Sequence, residues 1–193
     1  MAQTLSTMVE LGTVAPGFQL TDAVTGKSFT RNEIAAHGTS GGLLVMFICV
    51  HCPYVKHVEP ELARIGRDYA GKIGIVAISS NDIAEYPQDG PEHMKIQAAQ
   101  LGLNFPYLFD SKQEVARAYD AACTPDFFLF DKDLKLAYRG QLDASRPRRP
   151  NGSGNDIQLS GKDLRSALDA VIAGRQPDPN QVTSLGCNIK WKA

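Results

Sequence analysis

The sequence predicts an α/β fold, with a mixed central sheet, helices on both faces, an N-terminal β-hairpin and a C-terminal tail extension. Three observations predict it. Residues 43–49 (LLVMFIC) and 73–79 (IGIVAIS) are apolar runs without polar alternation, as expected of strands buried on both faces. The segment between them has helical periodicity, so the two strands are parallel and joined by a right-handed crossover. A later β-hairpin and a closing helix make the sheet mixed.

Taken in order, residues 18–21 and 27–30 flank Ala23-Val24-Thr25-Gly26 and read as a small hairpin. Thr30 and Glu33 have capping-box spacing and open a short helix ending near Gly38. After Gly41-Gly42 comes the first central strand. Val55, Val58, Leu62, Ile65 and Tyr69 then line one face of a helix over residues 53–70, with a kink expected at Pro60, which lacks a backbone donor. Beyond the second strand, Asp89 and Glu92 have capping spacing ahead of a helix over 91–101, with Met94, Ala98 and Leu101 on one face. Residues 105–109 add a short strand. Ser111 and Glu114 form another capping pair before Val115, Ala118 and Tyr119. Residues 126–130 and 134–140 make a tight hairpin around Lys132-Asp133, and 143–159 are a polar, Gly/Pro-rich loop. The last helix begins at Ser160, carries Leu164, Ala167, Leu168, Val171 and Ile172 on one face, and stops at Gly174. Residues 176–193 form a tail holding Cys187 and the only tryptophan, Trp191.

A chain of 193 residues is expected to form one domain, with a core over 41–174, the hairpin within 11–38 and the tail over 175–193. Such a chain buries about 70% of its unfolded surface and needs no staple. With 20 Lys and Arg against 21 Asp and Glu the net charge is -1, which disfavours nucleic acid as a partner. The longest apolar run, residues 43–50, falls far short of the ~20 residues of a bilayer span, so no membrane is expected either. The N-terminus has neither a charged n-region nor an apolar h-region, and a cytoplasmic location is expected. Four cysteines are too few for a disulfide scaffold; in a reducing compartment, paired cysteines are more often catalytic or metal-binding.

Cys49-Val50-His51-Cys52-Pro53 sits where the first central strand becomes the long helix. Sites in open α/β sheets collect at the carboxyl ends of strands. A cysteine at a helix N-terminus meets unpaired N–H groups and the positive end of the dipole, which favour thiolate. Pro53 suits the first helical position, which places Cys52 at the N-cap and Lys56 one turn on as a further positive charge. Fully extended, residues 49 and 52 would lie roughly 10 Å apart, too far for a disulfide; a β-turn brings them within about 7 Å. The competing readings are two inert buried cysteines, or a metal site using Cys49, His51, Cys52 and His57. A closed zinc site needs four converging ligands, and the sequence has no second C-x-x-C or H-x-x-x-H pair.

The segments MFICVHCPYVKH, CTPDFFLFDKD and SLGCNIKWK resemble the thioredoxin-fold superfamily, in the peroxiredoxin-like branch of the alkyl hydroperoxide reductase/thiol-specific antioxidant (redoxin) group. The resemblance runs from about Leu11 to the C-terminus and implies a three-layer thioredoxin-like fold. It also implies a cis-proline facing the reactive cysteine, for which Thr124-Pro125 is the match. Against reductases of the F-W-A-x-W-C-P-P-C type, Phe47, Cys52 and Pro53 match, with Cys52 as the attacking cysteine. Val55 stands where their second cysteine lies, so Cys49 is a pairing thiol displaced upstream, and Met46 stands at the position of their buried acid. Against the peroxiredoxin motif P-x-x-x-T-x-x-C, Cys52 matches the peroxidatic cysteine, but Cys49 replaces the Thr and Val45 the Pro. The arginine those enzymes hold against the thiolate falls near Pro125. With two peroxide-polarising groups missing, disulfide exchange is the favoured chemistry.

The expectation is therefore a cytoplasmic thiol–disulfide oxidoreductase with antioxidant-type activity. Cys52 attacks a substrate disulfide, Cys49 resolves the mixed disulfide, and Thr124 and Pro125 shape the site. Cys123 reads as an auxiliary thiol or a buried small hydrophobe. Cys187 reads as a second redox partner or as part of a tail docked through Ile189 and Trp191. His51 is a thiolate-stabilising imidazole or a solvated turn residue, and Arg146, Arg148 and Arg149 are solvated loop or an anion contact. No metal or organic cofactor is required. The partners are a protein or small-molecule disulfide and an electron-donating reductase or thiol. The alternatives are a thiol peroxidase passing through a Cys52 sulfenic acid, and a metal-binding or metal-delivery protein using the same thiols.

Overall fold

The computed structural model describes residues 3–149 and 152–192; residues 1, 2, 150, 151 and 193, which include two of the expected loop and the last of the expected tail, lie outside the described residues. In chain order come β1 (Gln3–Leu5), β2 (Gln19–Asp22), β3 (Ser28–Thr30), α1 (Arg31–Ala35), β4 (Leu43–Phe47), α2 (Pro53–Asp68) and β5 (Gly74–Ser79). They are followed by α3 (Pro91–Leu101), β6 (Tyr107–Phe109), α4 (Glu114–Ala118), β7 (Cys123–Thr124), β8 (Asp126–Phe130), β9 (Leu136–Arg139), α5 (Lys162–Ile172) and β10 (Leu185–Asn188).

Seven strands form the main sheet in the order β3-β2-β6-β5-β4-β8-β9. β4, β5 and β6 are parallel neighbours, and β8 runs antiparallel to β4. The unbroken hydrophobicity of β4 now has its cause. Leu43, Val45 and Phe47 enter one core with α1, α4 and Tyr119, while Leu44 and Met46 enter the other with α2, α3 and α5. Both faces are covered, so every β4 side chain is buried. This three-layer, thioredoxin-like arrangement brings the C-terminal end of β4 and the N-terminal end of α2 to one edge of the molecule.

Local signals predict several elements correctly. The Thr30–Glu33 capping box opens α1. The 126–130 strand and its partner form the expected hairpin. At Pro60, the site of the expected kink, α2 continues as one helix over Pro53–Asp68. Two expected caps are absent. Asp89 does not cap α3, whose N-cap is Gly90, and Ser111 does not cap α4, whose N-cap is Gln113 at φ 61°. The last helix starts two residues later than expected, after Gly161. No helix among the described residues is long and apolar enough to cross a membrane.

The largest departure is the tail. Instead of an appendage it supplies β10, the middle strand of a second sheet in the order β1-β10-β7. β10 runs antiparallel to both neighbours, with Cys187 opposite Gln3 on one side and Thr124 on the other. Asn81 accepts from the Lys190 N–H, while Gln113 donates to the Lys190 carbonyl and accepts from the Lys192 N–H. Ile189 is buried, and Arg117 lies over the Trp191 ring. Gly186 permits this docking, since a Cβ there would stand 2.1 Å from the Thr124 carbonyl oxygen. Gly186→Ala is therefore expected to push β10 off β7 and to lower stability by about 1–3 kcal/mol. Urea unfolding measures the loss, and faster alkylation of Cys187 reports the detachment; an unchanged midpoint would show that the ladder tolerates the methyl group.

Candidate active site

The site begins where β4 runs out of partners. Ile48 still donates to the Ile78 carbonyl, and the chain then leaves the sheet through residues 49–52. Cys52 is the N-cap of α2 with extended backbone, Pro53 follows in the first turn, and the Lys56 N–H closes the first helical bond on the Cys52 carbonyl. All four cysteines are free thiols and buried, and Cys52 has no solvent exposure at all.

One carboxylate shapes the turn. Asp89, at the end of the short 3-10 turn Pro87–Asp89, is also fully buried. Its Oδ1 accepts the backbone N–H groups of Val50 at 2.9 Å and His51 at 3.1 Å. Its Oδ2 accepts from the Asn81 amide at 2.8 Å and contacts His51 Nδ1. Burial acts to raise the Asp89 pKa, but the bonds from His51 and Asn81 outweigh it and hold the carboxyl below its usual range. The His51 ring stacks on Tyr86 with centroids 5.4 Å apart. His51 thus braces the turn through Asp89. Sequence reasoning missed Asp89 as a site residue because its spacing to Glu92 matched a local cap.

On the opposite side stands Thr124, joined to Pro125 by the expected cis peptide bond. Thr124 Oγ1 lies 3.2 Å from Cys49 Sγ, and the Thr124 carbonyl oxygen lies 3.2 Å from Cys52 Sγ, which donates to it as a thiol. The thiolate form of Cys52 has other partners. The Cys187 thiol, then the Cys49 thiol, and the N–H groups of Val55 and Cys187 all favour it and set its pKa well below the ordinary value, against the cost of burial. The neighbours shift the other way. Donation to Cys52, burial and the Asp89 charge push Cys49 up. Donation to Cys52 and burial likewise raise Cys187, opposed by the cations Lys190 and Arg149. One negative charge is thus stabilised among three thiols, and it rests on Cys52.

The remaining expected residues fall outside this trio. Cys123 is fully buried with its thiol against the Pro125 carbonyl, and burial raises its pKa, the behaviour of a small hydrophobe. Lys56 does not lend its charge to Cys52. It is exposed and lines a surface depression with Glu59, His93 and Ile96, and the thiolate is served by S–H and N–H donors instead. His57 bonds to Ser145 and stands apart from the metal set suggested by the sequence. Cys49, His51 and Asp89 do present ligand atoms within 4.8 Å of one another, but the Asp89 oxygens are already taken by the turn. Arg146 is spent on Gln141, Asp143 and Ser145, Arg148 pairs with Asp156, and Arg149 sits over the Tyr54 ring.

Asp126, directly after Pro125, is a second buried acid. Burial pushes its carboxyl up to about 7, opposed by the N–H groups of Ala122, Phe127 and Cys123. An unfolded Asp titrates near ~3.9, so between that value and the folded one the native state holds a proton the unfolded chain has released. Stability contributed by this group falls as pH rises across that window. Asp126→Asn should flatten the limb in urea midpoints measured from about pH 4 to 8. An identical slope in both proteins would mean that the Asp126 carboxyl titrates in the ordinary range.

Comparisons with known proteins agree with this geometry. The profile of the AhpC/TSA family matches residues 11–139. An uncharacterized conserved protein from Geobacillus kaustophilus is 49% identical, with a TM-score of 0.91 over 100% of this chain and 97% of that one. A hypothetical protein from Sinorhizobium meliloti 1021 is 45% identical, with a TM-score of 0.89 over 98% of this chain and 99% of that one. The thioredoxin domain of a thiol-disulfide oxidoreductase from Bacteroides vulgatus shares the fold at 20% identity, with a TM-score of 0.55 over 68% of this chain and 88% of that one. No curated protein matches the chain. A thioredoxin-like sheet, a helix-capping cysteine facing a cis-proline, and the match over residues 11–139 establish that this chain belongs to the AhpC/TSA family.

Proposed function

We propose that the protein is a thiol–disulfide oxidoreductase in which Cys52 is the attacking thiolate and Cys49 its partner in a C-x-x-C redox centre. The observation that carries this reading is the placement of Cys52 at the N-cap of α2, with its Sγ 3.2 Å from the Thr124 carbonyl oxygen beside the cis Thr124–Pro125 bond, where the surrounding donors favour its thiolate. In the first step the Cys52 thiolate attacks one sulfur of a substrate disulfide and the other leaves as a thiolate, which takes a proton from solvent. A neighbouring thiol then displaces the second substrate sulfur, leaving a protein disulfide and two substrate thiols. A reductase or small thiol returns two electrons to complete the cycle. The substrate is a protein or small-molecule disulfide and the setting is the cytoplasm, where a glutathione or thioredoxin pool supplies the reductant.

Peroxide reduction asks for more. The leaving hydroxide needs preorganised donors, and each such donor is worth about 2.7–4 kcal/mol of transition-state stabilisation. Cys49 stands where peroxiredoxins carry the Thr hydroxyl, and the position of their arginine falls near Pro125. Hydrogen peroxide should therefore react with the reduced protein several orders of magnitude more slowly than with a dedicated peroxidase. Oxidised glutathione should exchange at a rate set by the thiolate. Stopped-flow traces on one reduced sample compare the two, and a peroxide rate typical of peroxiredoxins would replace this reading by the peroxidase one.

The order of thiol acidity gives a separate prediction. Cys52 should be the first of the four thiols alkylated by iodoacetamide as pH is raised, because its thiolate persists below the ordinary cysteine pKa of about 8.5. Mass spectrometry of the labelled peptides reads the order. Faster labelling of Cys49 near neutral pH would reverse the two roles.

A further inference from the structure

The thiol–disulfide reading leaves open how a substrate reaches a cysteine with no exposure, and the tail strand bears on both its entry and its release. β7 has a single partner in its ladder, β10. Thr124, whose carbonyl and hydroxyl oxygens touch the Cys52 and Cys49 sulfurs, is paired with Cys187. An extended peptide approaching Cys52 along this edge would need the backbone groups that β10 already holds. Within that ladder Cys187 stands opposite Thr124, whose carbonyl oxygen touches the Cys52 sulfur, and it favours the Cys52 thiolate; a substrate sulfur would have to lie in the same place. The tail therefore occupies the place of a substrate strand, and its cysteine occupies the place of a substrate cysteine.

Cys49 and Cys187 both contact Cys52, but their surroundings have opposite charge. Asp89 acts on Cys49, whereas Lys190 and Arg149 act on Cys187. Resolution requires the second thiol to attack as a thiolate, which is easier beside cations than beside a buried carboxylate. Cys187 lies on a strand of four residues, while Cys49 is held in the turn fixed by Asp89.

Building on that reading, we propose that β10 is an internal substrate strand whose Cys187 performs the first resolution of the mixed disulfide on Cys52, before Cys49 takes over the bond. A substrate disulfide RSSR and the Cys52 thiolate give Cys52–S–S–R and RS⁻ while β10 is lifted. On the strand's return, the Cys187 thiolate attacks Cys52 Sγ; the Cys52–R bond breaks, the Cys52–Cys187 bond forms and a second RS⁻ leaves. The Cys49 thiolate then attacks Cys52 Sγ, forming Cys49–Cys52 and releasing the Cys187 thiolate. Cys187 and Cys49 each lose one proton, and because Cys52 starts as a thiolate a third comes from solvent; these three meet the uptake by the two RS⁻ groups and by the released Cys187 thiolate. Two protein thiols are oxidised, one substrate disulfide is reduced, and Cys187 is restored.

Oxidised glutathione serves as the probe, with acid quenching, alkylation of free thiols and peptide mapping at successive times. In Cys49→Ala the Cys52–Cys187 disulfide should accumulate. In Cys187→Ala the glutathione adduct on Cys52 should persist about tenfold longer or more before the Cys49–Cys52 bond forms, because the thiol that attacks it first has been removed. Adduct lifetimes equal in Cys187→Ala and wild type would overturn the proposal, as would a stable adduct with Cys187 still alkylatable in Cys49→Ala. The Cys49→Ala/Cys187→Ala double variant separates this from the underlying reading. It should hold glutathione on Cys52 indefinitely whichever thiol resolves it, and absence of any adduct there would refute the oxidoreductase assignment itself. Circular dichroism of each variant guards against loss of fold.

Discussion

The constraint on which the rest of the site depends is the burial of the Asp89 carboxylate. A charge without solvent contact must be met by donors, or it costs several kcal/mol. Here the donors are the N–H groups of Val50 and His51, the His51 ring and the Asn81 amide. Satisfying Asp89 therefore forces residues 49–52 to leave β4 in one particular turn. That turn sets Cys49 Sγ against Thr124 and delivers Cys52 to the N-cap of α2. The same network reaches the tail, because the other end of the Asn81 amide accepts the Lys190 N–H. The cysteine turn and the C-terminal strand are thus linked through two side chains, Asp89 and Asn81.

The chemistry follows from an imbalance created by this placement. Three thiols share one pocket, and burial alone would keep all of them protonated. Cys52 escapes because it receives donors from both flanking thiols and from N–H groups of a helix and a strand. Each flanking thiol is raised by the act of donating to it. These directions favour a single thiolate with two protonated partners, the state that the proposed exchange needs to attack once and be resolved once. Asp89 on the Cys49 side and Lys190 with Arg149 on the Cys187 side then distinguish the two partners electrostatically.

Much of this was legible in the sequence where the cause is local. The doubly buried β4, the Thr30–Glu33 box, the Pro53 start of α2 and the hairpin after Pro125 all depend on neighbours a few residues away, and all were read correctly. The same local logic misled at Asp89 and Ser111. A carboxylate or hydroxyl three residues before a Glu reads as a cap, yet Asp89 is claimed by a turn 38 residues upstream. Gln113, not Ser111, ends the loop before α4, and its amide is used to hold the Ser80 and Lys190 carbonyls. The tail was illegible for a related reason. Leu185–Asn188 has no strand pattern of its own and becomes β10 only because β1 and β7 stand on either side of it.

The tail also explains how a site lacking a second cysteine downstream of Cys52 can still be complete. With Val55 in that position, no thiol on α2 faces Cys52 from within the first turn. Two thiols from outside the helix fill the role, one from the end of β4 and one from β10. A thiol carried on a strand differs from one carried in the helix turn, because its distance from Cys52 depends on whether the ladder with β7 is formed. Docking of β10 raises the local concentration of Cys187 at the sulfur and excludes solvent from it. Detachment exposes the Thr124 edge to an incoming chain. In the proposed cycle access and resolution are two positions of one strand, and Gly186, whose missing Cβ lets that strand lie on the Thr124 carbonyl, is the residue that makes the docked position available.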